Sequence, residues 1–260
     1  MDWLLNLPIP AMTLVILAAT YLVTAGIYLV ITRLAVGERT RTFKAISPGM
    51  LPPLSVVFAL LVGFLAAQVW SDADRAATAV NREASALRAA VLLTDQFPGE
   101  PEARMRDLIR QHIATAVQEE WPDMARHHVT LSIVPGNLAQ ALKLALGLDP
   151  HTPGQNIAQR ELVASIQTAL DARRQRIVLS GSSVNAVKWG ALLVQAGLML
   201  LAIAMVHCDN PAANRIILGI FATGVAAAII LIAAYSRPFS GTLAVQPTLL
   251  LQVMPETGER

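Results

Sequence analysis

Charged residues are scarce in this sequence, and cysteine is almost absent. Only 15% of the 260 residues are charged whereas 54% are hydrophobic, a balance too apolar for an ordinary soluble domain. The net charge of +2 gives little reason to expect nucleic-acid binding. The single cysteine, Cys208, excludes an internal disulfide and a metal cluster built on thiolates. The composition therefore predicts a membrane protein that does not bind nucleic acid.

Motifs for catalysis and nucleotide binding are also missing. The sequence has no G-x-S-x-G elbow, no glycine-rich phosphate loop and no H-E-x-x-H motif. His127 and His128 follow Asp123, but neighbouring helical residues point about 100° apart, which suits joint metal binding poorly. The three polar residues at 207–209 precede Asn210-Pro211, where a turn explains them without a metal. We therefore expect no enzymatic activity, no cofactor and no metal site.

Four long apolar runs are predicted to cross a bilayer. Ala11 to Ile31 is free of charge and reaches about 31 Å as a helix, enough for a hydrocarbon core of about 30 Å. The second span runs from about Leu54 to Trp70. The third and fourth lie at Val184 to Val206 and Ile216 to Ser236, and Lys188 is the only charged residue within them. An even number of spans places both termini on one side.

The segment between the second and third spans predicts a bundle of amphipathic helices. Its helical pattern continues out of span two without a breaker until Gln96-Phe97-Pro98-Gly99. Three more apolar stripes predict helices: Pro101 to Glu120, ended by Trp121-Pro122; a short helix capped by Asn137; and one opened by an Asn156-x-x-Gln159 capping box that reaches Arg176. Residues 129–134 are the only segment that resembles a strand.

The predicted fold class is an all-α membrane protein with four transmembrane helices. An extramembrane helical bundle is inserted between the second and third spans, because apolar stripes must pack together to leave water. The expected divisions are 1–70 for the first two spans, 71–183 for the helical domain, 184–236 for the last two spans and 237–260 for the tail. The helix of the second span is expected to extend to about residue 95.

Charged pairs within the bundle have two explanations. Glu119-Glu120 could form ion pairs with the basic run from Arg173 to Arg176, or both could be solvated faces. Basic residues near the span ends also divide between the two sides of the membrane. Five lie on the side opposite the bundle: Arg33, Arg39, Arg41, Lys44 and Arg215. Eight lie on the side of the bundle: Arg75, Arg82, Arg88, Arg173, Arg174, Arg176, Lys188 and Arg237.

Three motifs point to a known family. The first is Trp70 followed by Val80-Asn81-Arg82-Glu83-Ala84; the second is Glu120-Trp121-Pro122-x-Met124 with Arg173 and Arg176 further on; the third is Pro238-Phe239-Ser240-Gly241 after span four. Together they resemble the bestrophin-like family of bacterial and plant membrane proteins (DUF4239), which is distantly related to the bestrophin ion channels. The sequence departs from the family pattern at Val184, where a proline is expected.

The resemblance implies a function and an assembly. It implies a homo-oligomer, a pentamer, in the bacterial inner membrane, whose second spans line a central pore that conducts ions passively. The bundle and both termini are then cytoplasmic, and the partners are the lipid bilayer and inorganic ions. The eight-to-five count of basic residues agrees with this orientation. The alternative is a membrane-anchored interaction or sensing protein without a pore, because the spans lack the charged residues common in transport proteins.

Candidate pore residues share one face of span two at helical spacing: Leu60, Phe64, Gln68 and Ser71. Phe64 is the expected constriction, unless it packs against span one or three. Below the span, Asp72, Asp74, Arg75 and Arg82 offer charges of both signs, so the sequence leaves the choice between anions and cations open.

Overall fold

The computed structural model describes residues 7–45, 48–126, 131, 135–241 and 243–256. Within these ranges every regular element is helical. The strand considered at 129–134 lies outside the described residues, except for Leu131. The chain divides into two compact units: a membrane unit of Met1–Ser71 and Ser183–Arg237, and a second unit of Asp72–Ser182 and Pro238–Arg260, here called the bundle unit.

Four helices in the described residues are long and apolar enough to cross a membrane. They are α1 (Ile9–Leu34), α3 (Leu51–Thr94), α8 (Ala186–Val206) and α9 (Pro211–Tyr235), with the short helix α2 (Glu38–Lys44) after the first. Each of the four predicted spans lies within or almost within one of them. The predicted fold class, with four membrane helices and a helical insertion, is confirmed.

Inside the membrane unit, α9 packs against both α1 and α8. Trp189 and Leu192 of α8 lie in one buried cluster with Leu65 of α3. A few polar contacts supplement this apolar packing: the hydroxyl groups of Tyr21 and Thr223 are 2.7 Å apart, and Gln195 Nε2 donates to the carbonyl of Leu54 at 3.1 Å. Such contacts are favoured between membrane helices because lipid offers polar groups no partner.

The bundle unit contains the remaining α-helices and a π-helical turn. They are the C-terminal part of α3, α4 (Glu100–Thr115), a π-helical turn (Ala116–Glu120), α5 (Trp121–Ala125), α6 (Gly136–Leu146), α7 (Pro153–Ser180) and α10 (Thr248–Gln252). Gly99 turns the chain between α3 and α4 with a φ of 97°, a backbone conformation that glycine adopts without strain. The apolar faces of these elements meet in one core, as the amphipathic pattern predicted.

Three local details differ from the sequence interpretation. Pro122 does not end the helical path, because it lies in the first turn of α5, where its missing N–H costs little. Asn137 lies inside α6, which starts one residue earlier and has no side-chain cap. Helix α7 is capped by Thr152, whose hydroxyl accepts from the N–H of Gln155, so the predicted Asn156 capping box is wrong. Gln159 instead donates to two carbonyl groups at the end of α6 and just after it.

Candidate functional site

The inner face of α3 carries one ionised side chain. Ala76, Val80, Leu87 and Ala90 make this face apolar, and each is fully buried. Glu83 occupies the same face and has no solvent exposure. A buried carboxylate is very unfavourable unless other groups satisfy it. The helical register of α3 therefore requires neighbouring helices to supply donors to Glu83.

Helix α7 supplies the main donor. Arg176 is also fully buried, and its guanidinium holds both oxygens of Glu83: Nε donates to Oε2 at 2.8 Å, and Nη2 to Oε1 at 3.1 Å. Arg173 lies three residues earlier on the same face of α7, as helical spacing requires. Two arginines of one basic run therefore point inward, whereas Arg174 between them is exposed.

The π-helical turn places a second carboxylate against these arginines. Glu120 Oε2 accepts from Arg176 Nη2 at 2.8 Å, and Glu120 Oε1 accepts from Arg173 Nε at 2.8 Å. Because a π turn adds one residue to the helical path, it changes which side chains face inward. Glu120 is turned toward the core, while Glu119 is exposed. Of the two explanations for these charged runs, ion pairing applies to Glu120 and solvation to Glu119.

An aromatic side chain covers the guanidinium of Arg176. The ring centroid of Trp121 lies 4.7 Å from the Arg176 Cζ atom, a cation–π contact. Trp121 also meets the ring of Phe239 edge to face at 5.7 Å and donates from Nε1 to the carbonyl of Val245 at 3.0 Å. The segment after span four is thus packed onto the same cluster. Gly241, at a φ of 84°, provides the turn in this segment.

Sequence reasoning missed one member of the cluster. His112 of α4 is 2% exposed, and its Nε2 lies 3.0 Å from Glu83 Oε1. The available signal was its spacing, because His112 falls on the apolar face that includes Leu108 and Ile109. Met124 completes the surroundings, with its sulfur 3.6 Å from Arg176 Nη1. We call Glu83, His112, Glu120, Arg173 and Arg176 the buried ionic cluster.

The electrostatics of the cluster keep both carboxylates ionised. Burial alone raises the pKa of Glu83, but the charge of Arg176 and hydrogen bonds from His112 and Arg176 outweigh it and lower the pKa to about 2. For Glu120, burial likewise raises the pKa, and the two arginines lower it by more. Burial alone lowers the pKa of Arg176, but Glu83 and Glu120 raise it by more, so the pKa of Arg176 lies above its ordinary value. Glu83, Glu120 and Arg176 are therefore charged in the folded protein.

The cluster holds its carboxylates in place and leaves them little capacity to react. Every oxygen of Glu83 and Glu120 accepts from an arginine or contacts His112. Among the described residues no group of three His, Cys, Asp or Glu side chains is arranged to hold a metal ion. The arrangement can fix helices relative to one another in the bundle unit, and it presents no open coordination position.

The candidate pore residues lie on α3 in the membrane unit. The side chains of Leu60 and Phe64 are 54% and 72% exposed in the protomer, so Phe64 does not pack against span one or three of its own chain. Ser71 is half-buried. Gln68 is bound to α8, because its Oε1 accepts a hydrogen bond from Lys188 Nζ at 2.6 Å. Of the family-motif residues, Trp70 lies here, edge to face with Tyr235 at 6.4 Å.

The polar groups considered for metal binding have other partners. Asp209 pairs with Lys44 at 2.5 Å, His207 Nδ1 lies 3.1 Å from the carbonyl of Ile203, and the Cys208 thiol faces the carbonyl of Thr40 at 3.9 Å. His127 and His128 lie outside the described residues, while Asp123 is half-buried, with its Oδ1 3.9 Å from Arg126 Nη1.

Comparison with known proteins extends these observations. The matching family model is described as the Bestrophin-like domain and covers residues 18–250. No curated protein matches the chain. Crystal structures of two mutants of a bacterial bestrophin homolog from Klebsiella pneumoniae have the same fold as this chain, each with a TM-score of 0.70. Their sequences are 11% and 12% identical to it. Each match covers 93% of this chain, and 97% and 96% of the respective homolog chains. A structure described as a membrane protein matches at 0.67 and 12% identity, covering 93% of this chain and 95% of that one.

The four membrane helices and the helical insertion define the class: an all-helical membrane protein with the fold of the bacterial bestrophin homologs. The chain belongs to the bestrophin-like family, whose model spans most of its length.

Removing one side of the buried ionic cluster is expected to destabilise the protein. The substitution Arg176→Met leaves Glu83 and Glu120 without their shared cation, a change that costs about 3–5 kcal/mol in buried pairs. Urea unfolding of the full chain in detergent micelles measures this loss. Arg174→Met, two residues away and exposed, is the control and should stay within about 0.5 kcal/mol of the original. Equal stability of the two variants would contradict the assignment.

Acid is expected to weaken the same cluster. The pKa of Glu83 falls from an ordinary value of 4.5 to about 2 on folding, so its contribution is present above about pH 4.5 and is lost as pH falls toward 2. This pKa shift contributes on the order of 3 kcal/mol to the free energy of unfolding at neutral pH. Unfolding midpoints measured from pH 6 downward test this, and a Glu83→Gln variant should show a shallower dependence. An unchanged slope in that variant would exclude Glu83 as the titrating group.

Proposed function

We propose that the protein forms a homo-oligomeric channel that conducts ions passively through a central pore lined by α3. The observation that carries this proposal is the continuity of α3, a single helix of 44 residues from Leu51 to Thr94. Its N-terminal part is an apolar span and its C-terminal part belongs to the bundle unit. A helix of this kind can line an axis in the membrane and continue along the same axis into water.

The exposed face of α3 in the membrane unit supports an axial position. Leu60, Phe64 and Ser71 fall within about 40° of one another on a helix of 3.6 residues per turn. Phe64 is 72% exposed in the protomer, so copies of it are available to form a ring around a symmetry axis. Such an apolar ring gates by excluding water. Gln68 contributes at the edge of this face, next to the ammonium of Lys188.

The same face becomes polar beyond the span. Asp74, Thr78 and Arg82 follow at helical spacing, and all three are exposed. They point away from the face that carries Glu83, Asp74 and Thr78 most directly. Asp72 is half-buried, and Arg75 borders a groove with Asp171 and Arg174 of α7. Asp74 and Arg82 are therefore our candidates for the charged rings that bias ion selectivity.

Family membership supports the assembly and the location. The similar Klebsiella structures are of a bacterial bestrophin homolog, and the resemblance implies a pentamer in the bacterial inner membrane with the bundle unit and both termini in the cytoplasm. The carboxylates of the buried ionic cluster are already satisfied, so they provide no support for an enzyme. The second candidate is an anchored interaction or sensing protein without a pore, which is also compatible with a rigid bundle.

Oligomeric state separates these two candidates. Light scattering in detergent gives the protomer number, and a Leu60→Cys variant in a Cys208→Ser background tests the arrangement. We expect disulfide crosslinks between protomers through residue 60, because the channel brings copies of this face together. A monomer, or an oligomer without such crosslinks, would favour the protein without a pore.

Shortening Phe64 is expected to raise ion flux. Phe64→Ala widens the proposed constriction and admits water, so flux from liposomes should rise by roughly tenfold, a barrier change of about 1.4 kcal/mol. Ile220→Ala in α9 is the matched control, since Ile220 is 70% exposed but lies on another helix. Flux that is equal in the two variants would remove Phe64 from the pore.

Neutralising the two charged candidates is expected to move selectivity in opposite directions. Asp74→Asn should shift the reversal potential toward anions and Arg82→Gln toward cations, because each removes a ring of one sign. Planar-bilayer recordings in a salt gradient measure both shifts. Arg160→Gln, an exposed position on α7, serves as the control. Unchanged reversal potentials in both variants would place the selectivity elsewhere.

A further inference from the structure

We propose that the membrane unit binds the headgroups of anionic phospholipids at the end where α1 finishes and α9 begins. The binding residues are those we call the basic patch: Arg33, Arg39, Arg41, Lys44 and Arg215. Arg33 lies in the last turn of α1, three of the residues lie on α2, and Arg215 is the fifth residue of α9. Neither the proposed pore nor the buried ionic cluster uses these residues, so the proposal does not depend on conduction.

Helix α2 is held against the ends of the membrane helices by its one aromatic side chain. Phe43 packs against an apolar cluster that includes Ile31 of α1 and Leu218 of α9. Helix α2 also packs against α8. The side chains of Arg39 and Arg41 are exposed, on the part of α2 that this packing leaves uncovered. The basic side chains of α2 are therefore held close to the ends of the spans.

The patch lies at the level of the lipid headgroups. The apolar run of the first span ends at Ile31, and that of the fourth begins at Ile216. Arg33 and Arg215 are therefore within two residues of these ends, or about 3 Å along a helix. The polar layer on each side of a bilayer is about 5–7 Å thick. Both arginines consequently lie where phospholipid phosphates are concentrated.

The protein itself neutralises little of the positive charge. Two acidic residues lie in the same segments of the sequence, and one of them, Asp209, pairs with Lys44. The other, Glu38, is 3.5 Å from Arg41, with side chains 90% and 84% exposed, so water screens the pair strongly. The other three arginines of the patch form no ion pair with any residue that the structure describes. Their charges are available to an external anion.

A second copy of the chain offers the patch no matching surface. Apart from Asp2, which lies outside the described residues, Glu38 and Asp209 are the only acidic residues in the sequence of the membrane unit. Both already face basic residues of the patch. The acidic residues of the bundle unit begin at Asp72, beyond the opposite end of span two. In a ring of identical subunits, each patch would therefore meet positive charge at its own level, which favours lipid as the partner.

The chemistry of the patch selects a phosphate group with a net negative charge. The planar guanidinium of arginine presents donors whose geometry matches two phosphate oxygens. Basic clusters beside a membrane span are typical of binding to anionic lipids. Phosphatidylcholine also has a phosphate, but its ammonium group compensates the charge, so phosphatidylglycerol should be preferred. This preference also explains why five basic residues lie on the side opposite the bundle.

The test measures lipid composition next to the patch. Thr42 is exposed on α2, so Thr42→Cys in a Cys208→Ser background takes a fluorescent label there. The labelled full chain is reconstituted into phosphatidylcholine vesicles that contain a small fraction of quencher lipid. The quencher is phosphatidylglycerol or phosphatidylcholine with a nitroxide near the headgroup end of one acyl chain. The ratio of quenching by the two lipids reports their relative enrichment at α2.

Two variants that each remove three positive charges are compared in this labelled background. One removes the unpaired arginines of the patch: Arg33→Gln, Arg39→Gln and Arg215→Gln. The control removes exposed basic residues of the bundle unit: Arg104→Gln, Lys143→Gln and Arg160→Gln. We expect phosphatidylglycerol to quench roughly twofold to threefold more than phosphatidylcholine in the labelled parent and in the control. The ratio should fall to about one in the patch variant, because its local charge is lost.

Three outcomes would overturn the proposal. Equal ratios in the patch variant and the control would show that the patch does not enrich anionic lipid. Loss of the preference on adding inorganic phosphate at constant ionic strength would assign the patch to soluble anions. A lower oligomer mass in the patch variant would assign it to contacts between copies of the chain. If the triple variant does not fold, Arg39→Gln is compared with Arg160→Gln, and equal ratios in that pair would also overturn the proposal.

Discussion

The bundle unit depends on the burial of one carboxylate, that of Glu83 on the inner face of α3. A fully buried carboxylate must be paired and hydrogen-bonded, because water cannot reach it. Arg176 holds both of its oxygens from α7, and His112 approaches one of them from α4. Hydrogen bonds of this kind tolerate only small changes in distance and angle. The register of three helices is therefore fixed by one side chain.

The same cluster brings more distant parts of the chain together. Glu120 reaches the arginines because a π turn rotates it inward, and Trp121 next to it covers Arg176. Through Trp121 the cluster also holds Phe239 and Val245, which follow the last span in sequence. Apolar side chains of similar size could provide comparable stability. We infer that the charges are used because misaligned charges are strongly unfavourable, so they select one packing among many apolar alternatives.

The two faces of α3 have different physical requirements. The inner face in the bundle unit is filled by the protein's own core and by the cluster. The opposite face is exposed in the protomer at Leu60 and Phe64 and again at Thr78, with the half-buried Ser71 between them. Lipid or a neighbouring subunit can cover the apolar part, but the polar part requires water or polar partners. This change along one face is compatible with the water-filled axis proposed above.

The sequence was sufficient for those features that follow from local pattern. Four apolar runs, of which only the third contains a charged residue, predicted four membrane helices, and unbroken periodicity beyond Trp70 predicted the long helix α3. The resemblance also identified most of the cluster residues, including Glu83, Glu120 and Arg176, as family-motif positions. The cap of α7 was assigned wrongly because Thr152 and Asn156 are both good capping residues, and the choice depends on where the helix packs.

The contacts between these residues required the tertiary structure. Glu83 and Arg176 are far apart in sequence, and nothing in the spacing of either indicates that they meet at 2.8 Å. His112 looked like any residue on an apolar face until the fold placed a carboxylate beside it. The sequence by itself determined the helices and the membrane location, because backbone hydrogen bonds and hydrophobic periodicity are local. Only the fold decided which charges are buried together, because that depends on the packing of helices distant in the chain.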